Sequence, residues 1–191
     1  MGNHYHLCLE TPRPNLVEGM RWLQSTFANR FNRFRKANGH VFQGRYKALL
    51  LDAEALGNVC HYIHLNPVRA GIVSSEDLEA HVDSSFAQLW DPRKRWTTLK
   101  SQASLEAASG LRDTPAGRRL YRDYLSWLAA TKLEQNRLGF NAMSRGWAKG
   151  TNEFKKGVPA SLPEKTLKTI VEAEASSLRE YAWEKWLRSA L

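Results

Sequence analysis

Two histidines, His4 and His6, stand two residues apart near the start of the chain. On an extended strand alternate side chains share a face, so this H-x-H spacing puts two imidazoles side by side, close enough to share one divalent ion. Two ligands do not complete a site, and a third donor has to come from elsewhere in the chain. Tyr62 and Asn66 offer one, because residues four apart project from neighbouring positions on one flank of a helix. A phenol and an amide so placed are a nucleophile and a ligand that could meet the histidines. The same spacing equally suits a half-buried packing aromatic and a C-terminal cap, with the two histidines serving as surface or core residues. His61 and His64 flank Tyr62, but helical geometry turns them away from the Tyr62–Asn66 side, and they read as structural or surface residues.

The elements that would position these groups follow from periodicity. MGNHYHLCLE alternates like a strand, with Tyr5, Leu7 and Leu9 on one side and His4, His6 and Cys8 on the other. After two prolines, Leu16, Met20, Leu23, Phe27, Phe31 and Phe34 recur at steps of three and four, predicting a helix of about twenty residues that ends before Gly39. HVFQGRYKALLLD, between Gly39 and Asp52, reads as a second strand despite Gly44. A second helix is expected from Ala53 to Asn66, with Leu56, Val59, Cys60 and Ile63 as its core stripe and Pro67 as its stop. Strand, helix, strand, helix implies a sheet with helices on one face and a site on the other. Farther on, Thr114 and Pro115 are the cap and first residue of another helix, and the stretch from Pro163 to the end reads as a terminal helix carrying Trp183, Lys185, Trp186 and Arg188.

Charge points to the class of partner. The chain has 191 residues, 42% of them hydrophobic, and a formal charge of +9, which suits a globular protein that meets a polyanion. Residues 1–75 carry nine basic against four acidic residues, 92–191 nineteen against ten, while 76–91 hold five acidic residues (Glu76, Asp77, Glu79, Asp83, Asp91) and no basic ones. This acidic insert reads as a linker over 76–95 between a core, 1–75, and a helical C-terminal extension, 96–191. Cys8 and Cys60 form no CxxC pair, and without a signal peptide the default compartment is the reducing cytosol. No run is apolar for the length of a membrane span.

Several separated stretches together resemble one family. NHYHLCLE is similar to the HUH strand of the REP-associated tyrosine transposases, VFQGRYKA to their next core strand, and YIHLNPVRAGIV to their tyrosine helix and the turn after it. The resemblance covers about residues 3–73 in order, and DSSF near 83 and MSRGWAKGTNEF near 143 extend it loosely. It implies an α+β, ferredoxin-like HUH-type sheet with helices on one face in a bacterial, nucleoid-associated protein. It further implies that His4, His6 and Asn66 hold Mg²⁺ or Mn²⁺ and that Tyr62 attacks the scissile phosphate of single-stranded, hairpin-bearing DNA. Arg45, Lys47 and Arg69, on the resembling strand and turn, would neutralise flanking phosphates; their other use is a solvated basic face. Arg30, Arg33, Arg35 and Lys36 end the first helix and could also track a strand.

Family members carry a further strand and helix before the HUH strand, whereas here Met1 stands almost at the motif. The expectation is a core short of its first strand and helix, with a sheet edge and one side of the Leu16–Phe34 helix uncovered, which invites aggregation or dimerisation. Tyr5, in the middle of the HxH triplet, is apolar enough to face the core. Besides the transposase, two functions fit the sequence: a non-catalytic nucleic-acid-binding remnant, and an unrelated metal-dependent hydrolase in which His4 and His6 activate water. The hydrolase predicts that Tyr62→Phe keeps activity, and the transposase that it abolishes it.

Overall fold

The computed structural model describes residues 3–160. They form a helix-rich mixture of α and β structure with a small parallel sheet, and none of their helices is long and apolar enough to cross a membrane. The terminal helix expected from Pro163, with its two tryptophans, lies outside the described residues.

The chain divides into two units, one made of residues 3–7 and 49–160, the other of Cys8–Ala48. In the first, strand β1 (Leu50–Leu51) leads directly into helix α2 (Ala53–Arg69). Helices α3 (Ser101–Ser109), α4 (Pro115–Ala130) and α5 (Lys132–Arg137) follow, then strand β2 (Ala148–Lys149) and helix α6 (Asn152–Ala160). β1 and β2 pair in parallel, Leu50 against Ala148 and Leu51 against Lys149. Asp52 then stands at the N-cap of α2, yet its carboxylate accepts from the backbone N–H and hydroxyl of Thr151, at 3.2 and 3.1 Å, rather than from its own helix. One side chain thereby ties the start of α2 to the segment after β2.

The core lies under α2. Leu65, Leu78, Phe86, Leu89, Leu105, Tyr121, Leu125, Leu128, Phe140 and Met143 form one buried cluster. α2 packs most extensively on α3, where Gly57 lets the two backbones touch: a Cβ there would run into the Ala107 carbonyl. α4 begins as its sequence predicts, Thr114 accepting from the Gly117 N–H at 3.1 Å with Pro115 at the first helical position. Its entry is pinned by Asp113, whose carboxylate binds the guanidinium groups of Arg95 and Arg118 and the hydroxyl of Ser101. Burial pushes that carboxyl up, but the hydrogen bonds from Arg95, Ser101 and Arg118 outweigh it and hold the group well below the usual carboxylate range.

In the second unit, α1 spans Leu16–Arg35, as the apolar periodicity predicts. It ends with Lys36 in the left-handed region (φ 49°), where Lys36 N–H and Ala37 N–H donate back to the Arg33 and Asn32 carbonyls. The Asn32 amide reaches the Gly39 carbonyl at 2.9 Å, and Phe27 contacts both Phe31 and Phe42. Much of the aromatic stripe faces solvent: Phe27, Phe31 and Phe34 are all exposed, and so is Trp22.

Five expectations are corrected. Residues 3–10 form no strand, and of the 40–52 stretch only Leu50–Leu51 pairs; among the described residues the sheet has two strands, so an alternating pattern without a ladder partner stays irregular. Tyr5, expected to face the core, is 42% exposed, and Leu7 and Leu9 are exposed with it. α2 does not stop at Asn66 but runs through Pro67 to Arg69. Its buried face is also rotated, centring on Gly57, Cys60, His61, His64 and Leu65, while Leu56, Val59 and Ile63 are only half-buried. The 76–95 stretch, expected as a linker, contributes Leu78, Phe86 and Leu89 to the core.

Candidate functional site

The end of α2 fixes the site. Pro67 removes one backbone donor in the last turn, and Gly71 (φ 68°) reverses the chain. Gly71 N–H donates to the Val68 carbonyl at 3.0 Å and Ile72 N–H to the Pro67 carbonyl at 2.9 Å, the paired bonds of a Schellman motif. The sequence NPVRAGI therefore makes a rigid stop, and it holds Tyr62, Asn66 and Arg69 on the final two turns.

Around Tyr62 the structure gathers several of the residues singled out from sequence. The His6 ring meets the Tyr62 ring edge-on, centroids 5.3 Å apart at 74°, and His4 lies 5.1 Å from His6 in a similar T-shaped contact. His4 is exposed, with Nδ1 2.7 Å from the Asn3 amide oxygen, while His6 is half-buried and its Nε2 is shielded from solvent without a hydrogen-bond partner. Burial lowers the His6 pKa, and the nearby charge of His4 lowers it further. A neutral imidazole with an orphaned ring nitrogen is what metal coordination requires.

Asn66 is buried one turn beyond Tyr62, and its Nδ2 too has no partner. Leaving a buried amide unpaired costs about 1–3 kcal/mol; an amide can turn to offer its oxygen instead. Among the described residues no group of three or more His, Cys, Asp or Glu side chains could hold a metal ion. The residues singled out from the sequence are two imidazoles and an amide. They fit a hard divalent ion only if oxygens from water and phosphate supply the rest of its shell.

Arg69 covers the tyrosine. Its guanidinium carbon lies 5.1 Å from the Tyr62 ring centroid and 5.3 Å from that of Phe140, and the two rings meet edge-on at 5.5 Å. Phe140 was invisible as a site residue in the sequence; the only local signal is Gly139, whose left-handed turn (φ 76°) opens the short helical turn Phe140–Ala142. Arg45 and Lys47 belong to the Cys8–Ala48 unit, where both are exposed, as are Arg30, Arg33, Arg35 and Lys36.

His61 and His64 do point away from Tyr62, into the core. Their Nδ1 atoms lie 3.3 and 3.0 Å from the Tyr121 hydroxyl, and His64 Nε2 lies 3.1 Å from Ser85 Oγ. Burial drives the His61 pKa down to about 4, with a backbone hydrogen bond at Ala108 pulling the other way. His64 falls to about 3 through burial and then the neighbouring His61. Both are neutral structural groups that stiffen the helix bearing Tyr62. No family model matches the chain, and no curated protein or solved structure matches it either.

Proposed function

We propose that this chain carries the chemistry of a HUH-type tyrosine transposase, cutting and rejoining single-stranded, hairpin-bearing DNA through a 5′-phosphotyrosine. In this reading the β1–β2 pair stands where the family has a ferredoxin-like sheet. The observation that carries it is the meeting of His6 and Tyr62 in one chain, ring centroids 5.3 Å apart, with the His6 Nε2 unpartnered. Beside the touching rings, the His6 Nε2 and the Asn66 Nδ2 are both buried without hydrogen-bond partners, two polar groups able to meet a ligand.

His4, His6 and Asn66 would hold Mg²⁺ or Mn²⁺, which supplies charge that polarises the scissile phosphate. The chain's own residues do the rest. A free phenol has a pKa of about 10 and is a weak nucleophile at neutral pH, so orientation matters. The Tyr62 oxygen forms a bond to phosphorus and the bond from phosphorus to the 3′ oxygen breaks; the phenol loses its proton and the departing oxygen gains one as a 3′-OH. Because the phosphodiester energy is kept in the phosphotyrosine, a 3′-OH can reverse the step and rejoin a strand without ATP. The +9 charge and the exposed cations Arg45, Lys47 and Arg69 suit a nucleic-acid partner.

A second reading, a nucleic-acid-binding remnant without catalysis, is favoured by one observation: the segment bearing His4 is in no sheet, and His4 itself is exposed. The two readings part on one gel. Labelled hairpin-bearing single-stranded DNA, incubated with the protein and Mn²⁺ and run under denaturing conditions, should give a shifted covalent adduct that vanishes with chelator and with Tyr62→Phe. DNA binding without any adduct would leave only the remnant.

A further inference from the structure

Tyr62 and Arg69 are seven residues apart, two turns along the same face of α2, and Phe140 reaches them from a turn about seventy residues farther on. The two jaws differ. Phe140 is 2% exposed and locked in the core, whereas Arg69 is exposed at the last turn. A long, solvated side chain keeps its freedom unless something holds it, and here the guanidinium lies against both rings, a cation–π contact that favours this one placement. His6 closes another side of the tyrosine ring. Three groups thus bound one phenol.

A guanidinium whose carbon rests against aromatic rings still has several N–H donors to offer an anion. We propose that Arg69 is a positioning residue for Tyr62: with Phe140 it clamps the phenol in one orientation, and its outward edge seats a backbone phosphate beside the tyrosine oxygen. The proposal rests on the tyrosine-nucleophile reading. It goes further in giving one cation two linked tasks and in making Phe140, from the C-terminal half, part of the site.

The test compares wild type with Arg69→Lys, Arg69→Gln and Phe140→Leu. Single-turnover adduct formation is timed at saturating hairpin DNA with Mn²⁺, and DNA affinity is measured by fluorescence anisotropy. In parallel, the ring resonances of ¹³C-labelled tyrosine are recorded without DNA, Tyr62 being assigned by its loss in Tyr62→Phe. Arg69→Gln should slow adduct formation about tenfold or more at saturating DNA, beyond any loss of affinity, and shift the Tyr62 signal away from its wild-type position. Arg69→Lys should restore affinity but not the rate, because an ammonium carries the charge without the broad, multi-donor guanidinium that lies against both rings. A loss confined to affinity, with the Tyr62 signal unmoved, overturns the proposal and leaves Arg69 a plain phosphate contact. Should wild type itself form no adduct, the transposase reading fails. The spectra then decide the clamp alone: a Tyr62 signal unchanged by both Arg69→Gln and Phe140→Leu overturns it, and one moved by Arg69→Gln supports it.

Discussion

Acidification should unfold this protein through His61 and His64. Both imidazoles are buried, and their partners, the Tyr121 and Ser85 hydroxyls, are neutral. An unfolded histidine titrates near 6.5, whereas these two hold out to about 4 and about 3. Below pH 6.5 the unfolded chain therefore binds protons that the folded one refuses, and stability is lost as pH falls, at about 1.4 kcal/mol per unit for each group. Between pH 7.5 and 5 the loss is about 2 kcal/mol per histidine and about 4 kcal/mol for the pair, a large share of the 5–15 kcal/mol of an ordinary domain. The lowered pKa of His6 acts in the same direction. Urea unfolding at the two pH values measures this directly. With a slope of about 2 kcal/mol per molar, the midpoint should fall by about 2 M at pH 5, and His61→Gln should remove about half of the shift. A midpoint that stays put between pH 7.5 and 5 would refute the argument, because it would mean that both rings take up protons in the folded state without penalty.

Three further outcomes follow from packing and charge. Gly57→Ala drives a methyl into the Ala107 carbonyl where α2 crosses α3, and should cost about 1–3 kcal/mol by urea unfolding. Asp113→Ala leaves the guanidinium groups of Arg95 and Arg118, both largely buried, without their shared carboxylate; a loss of about 3–5 kcal/mol is expected by the same assay. Lys36→Gly relieves a side chain from the left-handed region at the end of α1 and should stabilise the Cys8–Ala48 unit by up to about 1 kcal/mol, seen as slower amide exchange in the last turn of α1.

Helices were the legible part. The three-and-four spacing from Leu16 to Phe34 gives α1 almost to the residue, and Thr114-Pro115 gives the start of α4, because both signals are local. Strands were hardly legible: of the two expected, only Leu50–Leu51 pairs. An alternating run such as His4 to Leu9 records which side chains would share a face, but only a neighbouring backbone can make it a strand, and that neighbour is not written in the run itself. The rotation of the α2 face had the same root. A hydrophobic count chooses Leu56, Val59 and Ile63, whereas the helix buries His61 and His64, whose cost is met by Tyr121 and Ser85, residues remote in sequence. Type and spacing marked His4, His6, Tyr62 and Asn66 as candidates beside an equally good packing reading, while nothing marked Phe140: its contact with Tyr62 is long-range, and a lone phenylalanine after a glycine announces nothing.

The pairing of β1 with β2 joins residues about a hundred positions apart in sequence, Leu50 with Ala148. For a chain leaving the ribosome this sets a timetable. α2 and its tyrosine emerge early, but the strand that pairs with β1, the threonine that engages Asp52 and the phenylalanine that backs Tyr62 emerge only after α3, α4 and α5. Through that interval Tyr62 stands without the groups that later surround it. Contacts of such long range also form slowly. Premature termination anywhere before residue 140 would yield a polypeptide bearing His4, His6, Tyr62 and Asn66 yet lacking the wall against which the tyrosine rests.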